Sequence, residues 1–187
     1  MAQPARHGEQ AGKSTLRRSK DRSHCRTASF LHFNRDFRFN SQSTSMQCTP
    51  RRTIGGRAWL SLKLKNKEQE KALAAWGNTS LGLLLYWWHA NKQQSGRGSI
   101  GKAALQGLPT LDVRALTPAQ LKAASKIFDD FSGTPLLTFS EIHSDSERQK
   151  LDAEFMTRAL GLPKALCAHG ALSLLRKKLS LEPSISG

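Results

Sequence analysis

The chain has 187 residues, which suffices for one domain. Lys and Arg number 29 against 14 Asp and Glu, so the formal net charge is +15. This excess favours a polyanionic partner, either nucleic acid or a membrane surface. The cysteines, Cys25, Cys48 and Cys167, are too dispersed for a disulfide framework. Their spacing excludes a small secreted scaffold and indicates a reducing compartment.

Neither a secretory signal nor a membrane span is expected. The amino-terminal segment is basic, but no apolar stretch follows it. The longest apolar run, residues 81–88, has eight residues, whereas a membrane-spanning helix needs about 20. We therefore expect a cytoplasmic protein with no membrane partner.

The positive charge is concentrated in the first third of the chain. Residues 1–65 hold 14 Lys and Arg against 3 Asp and Glu, while residues 66–187 hold 15 against 11. Leu16 is almost the only large apolar side chain in residues 1–28. A segment of this composition buries too little surface to offset the entropy of ordering. We predict a disordered basic tail over residues 1–28.

Residues 29–65 are predicted to be a β-rich basic segment. Four phenylalanines are interspersed with basic residues between Phe30 and Phe39. Turn signals follow at Pro50 and at Gly55-Gly56, and residues 58–64 alternate between apolar and polar. This alternation is typical of a half-buried strand with a basic outer face.

Residues 66–187 are predicted to be a mostly helical, target-recognition-like domain. A last helix is expected over residues 164–179, and Trp76, Trp87 and Trp88 are expected mostly in the core. The expected fold class is α+β: a short β section followed by a mostly helical body, with a disordered basic N-terminal tail. Capping residues mark the other helix starts: Asn66 before a helix ending at Gly77, Thr79 or Ser80 before one running to about Lys92, Thr117-Pro118 before one ending at Gly133, and Ser144 or Asp145 before one running to Leu160.

Residues 93–101 (QQSGRGSIG) are predicted to form a flexible loop that contacts nucleic acid. Glycines let backbone amides approach a phosphate, and the Arg97 guanidinium is a forked donor that stays charged. The amide of Gln93 can pair with an adenine edge. The candidate DNA-binding residues are Lys92, Gln93, Arg97 and Lys102 at this loop, together with Arg51, Arg52 and Arg57, which we expect on the phosphate backbone.

The catalytic and metal-binding patterns in the sequence are all incomplete. Gly12-Lys13-Ser14-Thr15 lacks the first glycine and the preceding strand of a phosphate-binding loop. We therefore predict no catalytic, metal or cofactor site in this chain. The other patterns are His24, Cys25, His32 and Cys48, which lack the paired spacing of a zinc site; Cys167 and His169, which face different sides of a helix; and Asp129-Asp130, which fit the solvated end of a helix.

The order of motifs after residue 76 resembles a known family. Residues 76–88 (WGNTSLGLLLYWW) are followed by Ser95-Gly96-Arg97-Gly98, then by Leu108-Pro109, then by residues 117–121 (TPAQL). This order is similar to the C-terminal target-recognition region of adenine-specific DNA methyltransferases of restriction–modification and phage-defence systems. The resemblance covers residues 40–163, about two-thirds of the chain.

The resemblance implies a DNA-reading part without a methylating part. The family's catalytic half carries an Asn/Asp-Pro-Pro-Tyr/Phe motif and a glycine-rich S-adenosylmethionine loop, and this chain contains no Pro-Pro. We expect a DNA-binding fragment or subunit of a methylation system, with duplex DNA as partner. S-adenosylmethionine would then be bound only by a separate catalytic subunit.

Two alternatives remain open at this point. One is a basic RNA- or ribosome-associated protein that binds through its tail and through Phe30–Phe39 by charge and stacking. The other is a non-functional truncated remnant, whose apolar residues 81–88 would lie exposed. An enzyme that acts alone is the class that the sequence supports least.

Overall fold

The computed structural model describes residues 27–165 and 170–186. The predicted basic tail, residues 1–28, therefore falls almost entirely outside the described residues, as do Cys25, Cys167 and His169. The described part has short β-sheets followed by a mostly helical body, so the predicted fold class is confirmed.

Six strands form two small antiparallel sheets in the described part of the chain. The strands are β1 Ser29–Asn34, β2 Asp36–Arg38, β3 Met46–Thr53, β4 Trp59–Leu62, β5 Asn91–Gln93 and β6 Arg97–Ser99. The first sheet has the order β3-β1-β4 and the second has the order β2-β6-β5. The predicted β section is therefore present. Two strands of its second sheet, β5 and β6, lie within the mostly helical part of the chain.

The two sheets share one strand line. Arg35 alone separates β1 from β2; its amide donates to the Ala58 carbonyl (2.8 Å), and its own carbonyl accepts from the Ile100 amide (2.9 Å). Side chains therefore keep alternating across the junction. The fully buried apolar side chains of this strand line are those of Leu31, Phe33, Phe37 and Phe39, all on one side, which we call the inner face.

The helices pack against this inner face. Their bounds are α1 Lys67–Gly77, α2 Ser80–His89, α3 Lys102–Gln106, α4 Pro118–Phe131, α5 Ser146–Glu154, α6 Ala171–Ser180 and α7 Pro183–Ser186. A π-helical turn, Phe155–Ala159, continues α5. The ring of Tyr86 in α2 lies 5.4 Å from the rings of Phe33 and Phe37 and 6.1 Å from that of Phe39. The β-rich segment and the helical body therefore share one core.

The predicted helix caps are confirmed. Each cap satisfies backbone amides that have no partner within the helix. Thr117 and Gln120 form a full capping box, with Pro118 in the first turn. In the other helices, the cap oxygens accept from Gln69 N (Asn66, 2.9 Å), Gly82 N (Thr79, 3.1 Å) and Arg148 N (Asp145, 3.0 Å).

The prediction of a flexible loop over residues 93–101 is wrong. Strands β5 and β6 pair there as a hairpin, with Gln93 opposite Arg97. Ser95 and Gly96 both have positive φ (63° and 65°), the backbone geometry that closes a tight hairpin turn. The carbonyl of Gly96 accepts from Phe39 N at 2.8 Å, so the turn is tied to the strand line.

Gly98 lets the hairpin pack closely on the core. It lies between Phe37 and Lys92 in the sheet register. A Cβ atom at this position would meet the Phe39 ring at 2.6 Å and Ala90 Cβ at 3.0 Å. Only a residue without a side chain allows this approach without a shift of β6.

The expectation that Trp88 is mostly in the core is also wrong. Its side chain is 67% exposed, whereas Leu83 and Tyr86 in the same helix are buried. An unbroken apolar run does not show which face of a helix is inward. The neighbouring Trp76 and Trp87 are half-buried against the core.

A buried polar cluster fixes the start of α2. The side-chain oxygen of Asn78 accepts from the amides of Ser45 (2.9 Å) and Met46 (3.2 Å), and its nitrogen donates to the Met46 carbonyl (2.8 Å). The amide and hydroxyl of Ser80 donate to the two Asp152 oxygens at 2.7 and 2.6 Å. Asp152 also accepts from Arg176 at 2.8 Å. The cluster joins β3, α2, α5 and α6.

Arg148 extends this cluster to two loops. Its guanidinium is fully buried and donates to the carbonyls of Asn78 (2.6 Å), Ser43 (2.8 Å) and Leu137 (3.0 Å). It also pairs with Asp145 at 3.2 Å. Buried charges of this kind are tolerated when every donor and acceptor has a partner.

We predict that Asp152→Ala lowers the free energy of unfolding strongly. It leaves Arg176 charged and buried without a carboxylate, and losing one partner of a buried pair costs about 3–5 kcal/mol. Lys150→Ala in the same helix is the control, because it removes only an exposed pair with Glu147 and should cost less than about 1 kcal/mol. Urea denaturation measures both, and similar midpoints for the two variants would contradict the assigned role of Asp152.

We predict that Gly98→Ala destabilises the chain by about 1–3 kcal/mol, the usual cost of overpacking. Gly101→Ala is the control, since a Cβ there meets nothing within 4 Å. Thermal unfolding should show a lower midpoint for Gly98→Ala alone. Equal midpoints would mean that the hairpin does not pack on Phe39 as described.

Candidate nucleic-acid interface

Acidic residues are rare in the segments that form the sheets, where Asp36 of β2 is the one carboxylate within the six strands of the described chain. Residues 37–67 contain seven Lys and Arg and no Asp or Glu, and residues 71–111 contain no Asp or Glu either. In the helical body, by contrast, carboxylates pair with cations, as in Lys71–Asp129 (2.6 Å) and Lys126–Asp130 (2.9 Å). The excess positive charge of the described chain is therefore greatest around the sheets.

The side of the strand line opposite the inner face carries polar and basic residues. We call this side of the second sheet the outer face. In its register, Arg38 pairs with Arg97, which pairs with Gln93. The next row on the same face is formed by Asp36, Ser99 and Asn91. The outer face is thus a small platform of hydrogen-bonding side chains, without an apolar residue in these two rows.

The outer face holds its arginines in an unfavourable arrangement. Arg38 and Arg97 lie directly opposite each other, and like charges in that position destabilise a sheet. Asp36 partly compensates, because its carboxylate lies 3.3 Å from the Arg97 guanidinium. Arg38 is exposed and has no carboxylate partner among the described residues. This face therefore has unpaired positive charge that an anion would neutralise.

Gln93 and Arg97, two of the predicted DNA-binding residues, lie opposite each other in strands β5 and β6. Gln93 Nε2 reaches Ser99 Oγ at 3.4 Å, so the amide lies along the sheet surface. Arg38 was not predicted as a site residue, because no individual strand was assigned to residues 36–38 within the β-rich segment. The signal that could have found it is the spacing of Phe33, Phe37 and Phe39 on one face, which leaves Arg38 on the other.

Lys92, another predicted residue, is directed to the opposite side of the sheet. Its register partner is Gly98, on the inner face. The ammonium donates to the Trp88 carbonyl (3.1 Å) and lies 4.6 Å from the Trp87 ring centroid. Lys92 therefore does not share a surface with Gln93 and Arg97. Lys102 is exposed at the start of α3, soon after β6 ends.

The predicted arginines 51, 52 and 57 lie around a link that crosses the first sheet. Thr53 ends β3 opposite Ser29, and Trp59 starts β4 opposite Asn34, so residues 54–58 must run along β1. The amide of Gly55 donates to Ser61 Oγ at 3.1 Å, on the side of His32. This link covers His32, whose ring nitrogen lies 2.7 Å from Thr53 Oγ1.

These arginines are exposed, and none has a carboxylate partner within the described ranges. Arg52 lies 5.4 Å above the Phe30 ring, together with Lys67 at 4.9 Å. The exposed arginines at the crossing link and those of the outer face are two basic patches of the described chain, and we call them together the basic side.

A cavity of about 290 Å³ lies between β3 and α4, but its lining does not suggest catalysis. Met46, Phe128 and Phe131 make it largely apolar, and Cys48 is the one titratable residue in its described lining. Burial and the nearby Glu70 raise the pKa of the Cys48 thiol, so the reactive thiolate is disfavoured at neutral pH.

His32 and Cys48, two of the residues that were considered as zinc ligands, are not brought together. His32 faces the crossing link, whereas Cys48 pairs with Leu31 on the inner side of the same sheet. His24 and Cys25 lie outside the described residues. Among residues 27–165 and 170–186, no group of three or more His, Cys, Asp or Glu side chains could hold a metal ion. In the same ranges, no helix is both long and apolar enough to cross a membrane.

Comparison of the chain with protein-family models, curated proteins and solved structures gives no match.

Proposed function

We propose that this chain binds duplex DNA through its basic side, as the target-recognition part of an adenine-methylation system. The observation that carries the DNA-binding proposal is the row of Arg38, Arg97 and Gln93 on the exposed outer face. The assignment to a methylation system is supported by the resemblance of residues 40–163. In this proposal, a separate catalytic subunit binds S-adenosylmethionine and transfers the methyl group.

The chemistry of the outer face suits both phosphate and base edges. A guanidinium can donate two parallel hydrogen bonds to a phosphate or to a guanine, and a glutamine amide can pair with an adenine. The hairpin of β5 and β6 belongs to a three-stranded sheet in which β6 also pairs with β2. In this proposal Gln93 and Arg97 contact base edges from the outer face of that sheet.

The crossing link would hold the DNA backbone. Arg51 and Arg52 lie near the end of β3, and Arg57 lies in the link. All three side chains are exposed. Phosphate contacts from such residues position a protein on the duplex without selecting sequence. Lys102 would add a contact beyond the end of β6. The predicted division between DNA contacts from residues 92–102 and backbone contacts from the arginines of the crossing link is kept in this proposal, with Lys92 removed from the first set.

The alternative is RNA binding through the basic tail. The same experiment must distinguish it from duplex DNA binding through the basic side. Deletion of the whole β-rich segment is unsuitable as a test, because Leu31, Phe33 and Phe37 belong to the common core. Point variants on the outer face avoid this difficulty. The remnant alternative expects residues 81–88 to be exposed, and in the described structure Leu83 and Tyr86 are buried by the chain itself.

We predict that the double variant Arg97→Ala, Lys102→Ala weakens duplex DNA binding and flattens its salt dependence. Each lost phosphate contact lowers the slope of log K against log salt by about 0.9, so the double variant should lower it by up to about 1.8. Fluorescence anisotropy of the full chain with labelled duplex DNA measures both quantities. The matched control is Lys126→Ala, Lys150→Ala, which removes two cations of the helical body.

An unchanged affinity and salt slope in the Arg97→Ala, Lys102→Ala variant would contradict the proposal. Labelled structured RNA, measured over the same salt series, separates the alternative. Equal and weak binding of both nucleic acids, lost at moderate salt, would mean that net charge alone drives association.

A further inference from the structure

The cavity between β3 and α4 follows the free edge of the first sheet. In the described order β3-β1-β4, strand β3 has a neighbour on one side only. All five residues from 46 to 50 line the cavity, whereas one face of a strand would supply only every second residue. The cavity therefore lies along the backbone edge of β3 and not over one of its faces.

The hydrogen-bond pattern of β3 shows which backbone groups point to this edge. Asn34 N donates to Ser45 O at 2.8 Å, so these two residues form a hydrogen-bonded pair of the antiparallel strands β1 and β3. Such pairs alternate with pairs whose amides and carbonyls point away from the partner strand. Counted from Ser45, Met46 and Cys48 are of the second kind. Their amides and carbonyls are therefore directed to the free edge.

The Cys48 amide and carbonyl are the donor and acceptor that this edge offers to a ligand. At Met46, the Asn78 side chain already takes the place of a neighbouring strand: its oxygen accepts from the Met46 amide (3.2 Å), and its nitrogen donates to the Met46 carbonyl (2.8 Å). Pro50, two residues beyond Cys48, has no amide hydrogen. In the described chain, no side chain takes the same place at Cys48. The edge is thus too short for an added peptide strand, but it can bind one molecule that carries a donor beside an acceptor.

The electrostatic surroundings of the cavity favour an uncharged ligand. Within the described lining there is no Asp, Glu, Lys, Arg or His. The charged groups that act on Cys48 are balanced in sign, with Glu70 and Asp129 against Lys67 and Lys71, and Lys71 pairs with Asp129 at 2.6 Å. A charged ligand would lose its hydration without gaining an opposite charge in the lining.

The volume and the remaining lining indicate a ligand of two fused rings. Phe128 and Phe131 of α4 lie on one side of the cavity, and Met46 and Leu151 add further apolar surface. The volume of about 290 Å³ is nearly twice that of an engineered apolar cavity of roughly 150 Å³ that binds benzene. Ligand sites usually combine such apolar walls with a few polar groups that fix orientation.

We propose that this cavity binds a small, neutral, planar molecule of two fused rings that carries a hydrogen-bond donor beside an acceptor on one edge, as a bicyclic lactam or a purine base does. The Cys48 carbonyl accepts from the donor of the ligand, and the Cys48 amide donates to its acceptor. The rings lie against Phe128, Phe131 and Met46. This site uses none of the residues of the basic side, so it goes beyond the proposed function and does not depend on it.

The test compares two probes on the full chain: quinazolin-4-one, a bicyclic lactam, and its 3-methyl derivative, in which a methyl group replaces the N–H beside the carbonyl. Titrations followed by amide chemical shifts give the dissociation constant of each. We expect saturable shifts of the amides of residues 46–49 and 128–134, with a downfield shift of the Cys48 amide proton. The methylated probe should bind more weakly by about two- to tenfold, the value of one hydrogen bond.

Ser132→Trp should abolish saturable binding, because Ser132 is an exposed residue of the lining and an indole there fills the cavity. Ser144→Trp is the matched control. Both serines are exposed, and each hydroxyl donates to the carbonyl three residues earlier (3.1 Å at Ser132 and 3.0 Å at Ser144), but Ser144 is not in the lining. Thermal unfolding shows whether each variant is folded.

Cys48→Pro tests the backbone contact, since it removes an amide hydrogen that the pairing with β1 does not use. It should weaken quinazolin-4-one by about two- to tenfold. Cys48→Ala keeps the amide and should keep the preference for the unmethylated probe. If Cys48→Pro does not fold, the two probes and Ser132→Trp decide the matter.

Three results would overturn the inference. Equal affinity for the two probes would exclude recognition by the Cys48 edge. Absence of saturable shifts with either probe would exclude the site itself. Saturable binding that survives in Ser132→Trp would place the ligand elsewhere on the chain. Each of these results leaves the proposed DNA binding untouched, because that is measured with different variants and a different ligand.

Discussion

The rest of the described structure depends on the buried contacts that the Asp152 carboxylate makes with Ser80 and Arg176. Burial raises the pKa of this carboxyl above its ordinary value, and the hydrogen bonds from Ser80 and the nearby charges of Arg176 and Arg148 offset the rise only in part. The carboxylate takes the place of water at the start of α2 by accepting from the amide and hydroxyl of Ser80. Together with the Thr79 cap, it holds the start of α2 against α5 and α6. Tyr86 can then reach the phenylalanines of the strand line, and Trp88 is turned outward.

The same helix connects the buried polar cluster to the basic side. Tyr86 packs under Phe37 and Phe39, whose strand carries Arg38 and leads to the hairpin. Ala90, just past the end of α2, lies against Gly98 of β6. A shift of α2 would therefore move the inner support of both strands that display the arginines. The stability of the cluster and the geometry of the basic side are parts of one arrangement.

Local features of the fold could be predicted from the sequence, and features that depend on distant partners could not. The caps at Asn66, Thr79 and Thr117 act on amides two or three residues away, so a short pattern is sufficient to identify them. The hairpin and the shared strand line depend on pairing between residues 36–38 and 97–99, which are far apart in sequence. Without that pairing, a glycine-rich stretch such as residues 93–101 has the composition of a loop.

The same contrast between local features and features that depend on distant partners applies to the candidate site. Gln93 and Arg97 were predicted from their chemistry, but the strand period that sends Lys92 to the opposite face was not recognised. Arg148 and Asp152 have the spacing of an ordinary exposed ion pair on a helix, and only tertiary packing reveals that both are buried. A signal that could have indicated a buried partner is the polar run Asn78-Thr79-Ser80 between two apolar helices.

The most direct test of the proposed basic side is to locate the DNA contact by amide chemical-shift changes of the full chain in solution. Addition of duplex DNA is predicted to shift the amides of residues 36–38, 54–58 and 91–99, with smaller changes in α4 and α5. Shifts confined to residues 1–28, with the sheets unperturbed, would contradict the account and assign binding to the tail.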